Sequence, residues 1–291
     1  MKVATIGNCQ LEIVGQLLSN YPDLHRGVIK EVVNTPIYKM DAQRDVINLM
    51  HELESCDKIY MQYHSERWGM LSTVKLSEYF DIRILPTMES RVSTPQLGYF
   101  PAPVPELMVY VDYRFLHLYL TGYSCAEATS AYHSAAFDAQ KQYNMVLEDA
   151  SRYKSLFQEG KVIFDYSSFY QPSLCEDTRC YSTVSHPNNK HLSVFLSAIF
   201  YDFFQENKNF DLNGNEMLNN YYAPEIGSGD QKYLMMRNSG LPLAGKINYL
   251  FFSSQTREML THALLKSAYY QGLRSEFQNI QLISQPFITN S

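Results

Sequence analysis

Short apolar runs alternate with helically spaced apolar residues through the first hundred positions, and few folds accommodate that pattern. Lys2 to Ile6 reads as a buried strand, and Leu11, Ile13, Val14, Leu17 and Leu18 follow on one helical face. Val28 to Val33 reads as a second strand. Met40 to Leu53 reads as a helix presenting Val46, Ile47, Met50 and Leu53 on one side. Lys58 to Gln62 is a third strand, Leu71 to Phe80 a helix, and Ile82 to Leu85 a fourth strand ended by Pro86. Strands separated by helices pair in parallel through right-handed crossovers, so the expected class is α/β: an N-terminal open parallel sheet with flanking helices. Ligands of such sheets gather at the carboxyl ends of the strands. That rule puts Gly7-Asn8-Cys9-Gln10 and Tyr63-His64 on one rim.

Thr94 to Pro105 carries four prolines and one glycine and reads as irregular. We place a domain boundary there, giving an α/β domain over 1–100 and a mainly helical domain over 101–291 that completes the cleft. Helical spacing runs through Tyr113–Leu120, Ala126–Ala135, Gln140–Leu156, Leu192–Gln205 and Gln255–Tyr270, with Val162–Tyr166 as one more strand.

Composition narrows the partners. Hydrophobic residues are 45% and charged residues 19%, as in globular proteins, and the net charge is −6 without any Lys/Arg run, which argues against a nucleic acid partner. Polar residues interrupt the N-terminus before a signal-peptide core forms, and Leu192–Phe204 is too short and too polar to span a bilayer. Five scattered cysteines (9, 56, 125, 175, 180) fit reduced thiols in a cytoplasm better than a disulfide framework. The 23 tyrosines suit cleft walls or simply reflect composition. Cys175 and Cys180 with His186 lack the paired spacing of a zinc site, so no metal is expected. A dinucleotide fingerprint, a Walker loop and a Gly-x-Ser-x-Gly elbow are all missing from the sequence.

The chemistry-bearing candidates cluster around Cys9. At the start of a helix, free N–H groups and the helix dipole favour an anion, so the thiol is expected to have a lowered pKa. Gly7 permits a tight turn and close approach of a ligand, and the Asn8 and Gln10 amides are candidate donors to an oxyanion or a ligand carbonyl. The alternative is a buried cysteine filling space at a strand end. His64 comes within reach of Cys9 if its strand neighbours the first. Arg67 beside Trp68 suits a phosphate with an attached base. His186, before the Leu192 helix, is a second candidate base, and Lys190 a phosphate contact.

The strand–Gly7-Asn8-Cys9-Gln10–helix block, a His after a later strand, the stretch Pro86 to Pro101 with Gly98-Tyr99-Phe100-Pro101, and His186-Pro187 together resemble the WcbI-type family of polysaccharide biosynthesis acetyltransferases. The resemblance implies a protein that binds coenzyme A or acetyl-CoA as a substrate and transfers an acetyl group to a sugar hydroxyl of a capsular or surface polysaccharide, with the family's Cys–His pair on Cys9 and His64. The first block also looks like that of SGNH hydrolases with cysteine in the serine position. A C-terminal Asp-x-x-His block is lacking, however, and His262 stands alone in a helical pattern. Three readings follow: an acyltransferase, covalent through Cys9 or direct with His64 or His186 as base; a cysteine-dependent esterase; or a non-catalytic carbohydrate- or nucleotide-binding protein.

Overall fold

The computed structural model describes residues 1–40, 45–91, 97–99, 110–112, 139–173 and 180–218. Strands β1 (Lys2–Gly7), β2 (Glu31–Pro36), β3 (Lys58–Gln62) and β4 (Ile82–Leu85) form one parallel sheet in the order β2-β1-β3-β4. Lys2 pairs with Glu31, Ile6 with Met61 and Ile59 with Ile82. The class is α/β, as the sequence implies. The described helices are α1 (Cys9–Asn20), α2 (Val46–Glu54), α3 (Thr73–Ser77), α4 (Ala139–Gln158), α5 (Ser167–Ser173) and α6 (Asn189–Phe204). The part after the sheet is thus mainly helical among the described residues.

Alternation along the central strands divides the helices between two faces. Ala4, Ile6, Ile59 and Met61 pack with Val46, Leu49 and Leu53 of α2 and Leu76 of α3. On the opposite face Thr5 lies under α1, where Gly15 lets the helix come close: a Cβ there would be 2.5 Å from Asn34 Cγ. Asn34 fills the gap by accepting from Thr5 Oγ1 (3.0 Å) and donating to Glu12 O (2.8 Å). Tyr60, also on that face, meets α6, with its hydroxyl donating to Asp202 (2.7 Å). Lys58 Nζ donates to the same carboxylate (2.5 Å), and Arg83 Nε lies 3.5 Å from its other oxygen. Burial alone would raise the Asp202 carboxyl, but the Lys58 and Tyr60 bonds and the Arg83 charge hold it below its ordinary value.

Several elements differ from expectation. β2 runs from Glu31 to Pro36 rather than from Val28 to Val33, because its partner β1 begins at Lys2, opposite Glu31, and ends at Gly7, opposite Pro36. The inner face of α2 is Val46, Leu49 and Leu53, whereas Ile47 is 64% exposed. Val162–Tyr166 is not a strand. Ile163 N–H donates to Ile84 O (2.9 Å), and the chain then turns, with Asp165 Oδ1 accepting from Ser167 N (2.9 Å) at the start of α5. Within the stretch expected to be irregular, Leu97–Tyr99 (β5) pairs antiparallel with Tyr110–Asp112 (β6). Tyr181–Thr183 (β7) and His186–Pro187 (β8) are short strands. The helices expected over 113–120, 126–135 and 255–270, together with Cys125, Cys175 and His262, lie outside the described residues. Five tyrosines (60, 153, 166, 170 and 181) are fully buried, so at these positions the aromatic excess builds core instead of cleft wall. Tyr153 packs edge-on to Tyr166 at 4.7 Å between ring centres.

Two compact units divide the chain. One comprises Met1–Glu89, Leu147–Ser173 and Ser185–Asn219; the other comprises Ser90–Val146, Leu174–Val184 and Asn220–Ser291. Every candidate site residue belongs to the first.

Candidate active site

Strand order fixes the location. The chain passes from β1 to β2 on one side, then crosses to β3 on the other, so the direction of winding reverses between β1 and β3. Doubly wound sheets bind ligands at the carboxyl side of such a reversal, where the two connections diverge. Cys9 and His64 each stand two residues past the carboxyl ends of these adjacent strands. The sequence required β3 to be the neighbour of β1 for the two to meet, and it is.

Asn8 is the N-cap of α1: its Oδ1 accepts from Gln10 N (2.9 Å) and its carbonyl from Glu12 N (3.0 Å). Cys9 is therefore the first helical residue. The backbone N–H groups of Cys9 and Gln10 favour its thiolate, as expected of a helix start. The outcome is nevertheless the reverse of a lowered pKa. Burial costs the charged form more than two N–H dipoles return, and the thiol is pushed up to about 12. At neutral pH Cys9 is a thiol.

His64 is only 8% exposed. Thr73 clamps its backbone, with Oγ1 accepting from His64 N (2.7 Å) and Thr73 N donating to His64 O (3.0 Å). The ring lies against Trp68, 5.6 Å between centres. The following turn passes through Gly69 at φ +57°, a left-handed conformation that suits glycine. Burial, reinforced by the Arg67 charge, pushes His64 down to about 4, so the imidazole is neutral at pH 7. Its Nδ1 is buried without a hydrogen-bond partner among the described residues, an unusual cost for a polar atom.

The neighbouring residues expected to meet a ligand have other work. Where a Gly7 Cβ would sit, Gln62 Oε1 and Leu11 Cβ already press in, the latter at 2.7 Å, so glycine here admits the Gln62 side chain instead of a ligand. Gln62 Oε1 accepts from Asn8 N (2.7 Å). Gln10 is fully buried, and every bonding position of its amide is taken by the protein, so it has nothing left for an oxyanion or a ligand carbonyl.

His186 lies on β8 and is 4% exposed, not on an open loop, and burial pushes it down to about 4. The carbonyl just before it, Ser185 O, accepts from Gln10 Nε2 (2.7 Å), so the His186 segment reaches the first turn of α1. Lys190 is exposed on the first turn of α6, with Nζ 6.0 Å from the centre of the Phe169 ring. The N-terminus of α6 is already capped by acceptors of this chain, Asn188 Oδ1 for His191 N (3.1 Å) and Glu216 Oε2 for Asn189 N (2.6 Å). Arg67 is exposed, its guanidinium 6.0 Å from the centre of the Trp68 ring.

Sequence reasoning missed Gln62, Thr73 and His191. Gln62 had a signal, a glutamine closing an otherwise apolar strand. His191 is completely buried, its ring nitrogens engaged by the Tyr166 hydroxyl and by Ser173 Oγ (3.1 Å), and it is pushed down to about 3 by burial and then by the Lys190 charge. It serves the core. Among the described residues no group of three or more His, Cys, Asp or Glu is placed to hold a metal ion, and no helix is long and apolar enough to cross a membrane.

Residues 2–200 match the model of the family described as polysaccharide biosynthesis enzyme WcbI. No curated protein matches the chain. A solved structure of WcbI, described as a novel polysaccharide biosynthesis enzyme in its native form without a disulfide bond between coenzyme A and one of its cysteines, superimposes with a TM-score of 0.62 at 13% identity. The match covers 95% of this chain and 99% of that one, so the two share a fold.

Proposed function

The chain belongs to the WcbI family of polysaccharide biosynthesis enzymes, and we propose that it is a coenzyme A-dependent O-acetyltransferase that acetylates a sugar of a capsular or surface polysaccharide in the cytoplasm. The observation that carries this reading is the placement of Cys9, at the α1 N-terminus, and of a buried, neutral histidine, His64, whose Nδ1 has no hydrogen-bond partner among the described residues, just past the carboxyl ends of the adjacent strands β1 and β3 where the winding reverses. Coenzyme A in the WcbI relative, named there together with a cysteine, supports a thioester donor whose sulfur comes next to Cys9.

The protonation states favour direct transfer. His64 is neutral at pH 7 and accepts the proton of the sugar hydroxyl as that oxygen attacks the thioester carbonyl. The tetrahedral intermediate collapses to the acetyl ester, and the departing coenzyme A thiolate recovers the proton from His64. Cys9, held as a thiol, lines the pocket. Arg67 and Lys190 are the cations offered to the coenzyme's phosphates, Asn8 adds its side-chain N–H donors, and His186 is the alternative base.

Thermal shift with coenzyme A, acetyl-CoA and nucleotide sugars is the first test, because a specific ligand raises Tm by mass action; no shift at high coenzyme A concentration overturns the reading. The second is acetyl transfer to candidate sugars by the wild type, Cys9→Ser and His64→Ala. Direct transfer expects activity in Cys9→Ser, loss in His64→Ala and no acetylated enzyme by intact mass. Turnover of acetyl-CoA without any sugar would make the protein an esterase.

A further inference from the structure

Gln10 is buried completely although it lies on the first turn of α1, beside the rim. Its Nε2 donates to Met88 O and to Ser185 O, both at 2.7 Å. Its Oε1 accepts from Gln62 Nε2 (2.8 Å) and from Met88 N (3.1 Å). One side chain thus joins the end of β3, the chain beyond β4 and the chain entering β8. The sense of these bonds is fixed from a backbone group. Asn8 N–H can only donate, so it holds Gln62 Oε1; that turns Gln62 Nε2 toward Gln10, which turns Gln10 Nε2 toward the two carbonyls. A flipped Gln10 amide would set oxygen against oxygen at Met88 and Ser185. Ser185 O belongs to the planar peptide unit that carries the His186 N–H, so fixing that oxygen fixes the plane from which His186 departs.

We infer that Gln10 is a positioning residue, which through the Ser185 carbonyl sets the place of His186 relative to Cys9 and His64. The inference rests on the reading of this rim as the reactive site, and it gives a reason for a fully bonded glutamine one residue after the cysteine. An interior stabiliser would need only to fill the space; this amide also transmits the geometry of the α1 start to a segment far along the chain.

The test is histidine titration by NMR on the full chain with labelled imidazoles. In the wild type His186 stays neutral down to about pH 4. In Gln10→Met, which keeps the bulk and removes all four bonds, the Ser185 carbonyl loses its Gln10 donor and the His186 pKa rises by at least about one unit toward its ordinary value, while His191 keeps its low value. A lower Tm with an unmoved His186 titration overturns the inference and leaves Gln10 a core residue. Should Gln10→Met not fold, Gln62→Met decides: it loses the bonds to Asn8 N and Gln10 Oε1 that orient the Gln10 amide but leaves Gln10 its bonds to Met88 and Ser185, and a smaller rise at His186 is expected, with no rise refuting the idea. In an acetyl-transfer assay, Gln10→Met lowers kcat by about a hundredfold with KM for acetyl-CoA nearly unchanged, the mark of a misplaced group. Absence of transfer in the wild type would overturn the proposed function, while the titration would still judge Gln10.

Discussion

Alkylation of Cys9 tests the electrostatics of the rim most directly. Burial pushes this thiol from 9.0 to about 12 even though the Cys9 and Gln10 N–H groups oppose it. That rise corresponds to about 4 kcal/mol and to roughly a thousandfold less thiolate at neutral pH. Thiolate is the form that attacks iodoacetamide, displacing iodide. The assay follows the appearance of carboxamidomethylated Cys9 peptide by mass spectrometry on native protein from pH 7 to pH 10, with glutathione as an ordinary thiol. At pH 7.5 Cys9 is expected to react about a thousandfold more slowly than glutathione. Steric shielding alone would also slow the reaction, so the shape of the profile decides. A thiol titrating near 12 gives a rate that climbs tenfold per pH unit across the whole range, whereas a shielded thiol of ordinary pKa levels off near pH 9. A plateau below pH 10, or a rate at pH 7.5 close to that of glutathione, would refute the desolvation argument and restore the thiolate expected of a helix start.

Other outcomes follow from the same structure. His64, His186 and His191 are held neutral by burial, to about 4, 4 and 3, so they stabilise the fold fully above their ordinary 6.5 and lose that contribution as pH falls toward 4. Each costs about 1.4 kcal/mol per pH unit in that window, about 4 together, so the urea midpoint should drop steeply between pH 6.5 and 5; a midpoint level to pH 5 would contradict the burial of these rings. Gly15→Ala gains helix propensity but drives a methyl into the hydrogen-bonded Thr5 and Asn34 side chains, for a net loss of about 1–2 kcal/mol by urea unfolding; a stabilised variant would show that the α1–sheet spacing is slack. Asp202→Asn removes the charge that Lys58, Tyr60 and Arg83 share and should cost about 2 kcal/mol. A double-mutant cycle with Lys58→Met isolates the pair, and additivity within error would show that the bridge is energetically idle.

The central sheet was legible because β1 and β3 are short, largely apolar runs with sharp ends, and their burial on both faces leaves little choice of register. The α2 face was not, since apolar residues occupy more of its circumference than one stripe: the sets 46, 47, 50, 53 and 46, 49, 53 both satisfy helical spacing, and only packing on Ile6, Ile59 and Met61 selects the second. At the rim the residue types and their places at the ends of β1 and β3 were readable, because strand ends and a helix start are local features. Their protonation was not, because the Cys9 thiol and the His64 and His186 rings owe their shifts chiefly to burial, which only the folded chain sets. The work of Gln10 was invisible for the same reason: its partners Gln62, Met88 and Ser185 stand 52, 78 and 175 residues away.

That last separation has a consequence in time. Chains emerge from the ribosome at about 5–20 residues per second, so roughly ten to thirty seconds pass between the synthesis of Gln10 and that of Ser185. Through that interval Gln10 has been made but its Ser185 partner has not. The rim is complete only once the segment before His186 has been made and the bond from Gln10 to Ser185 can form.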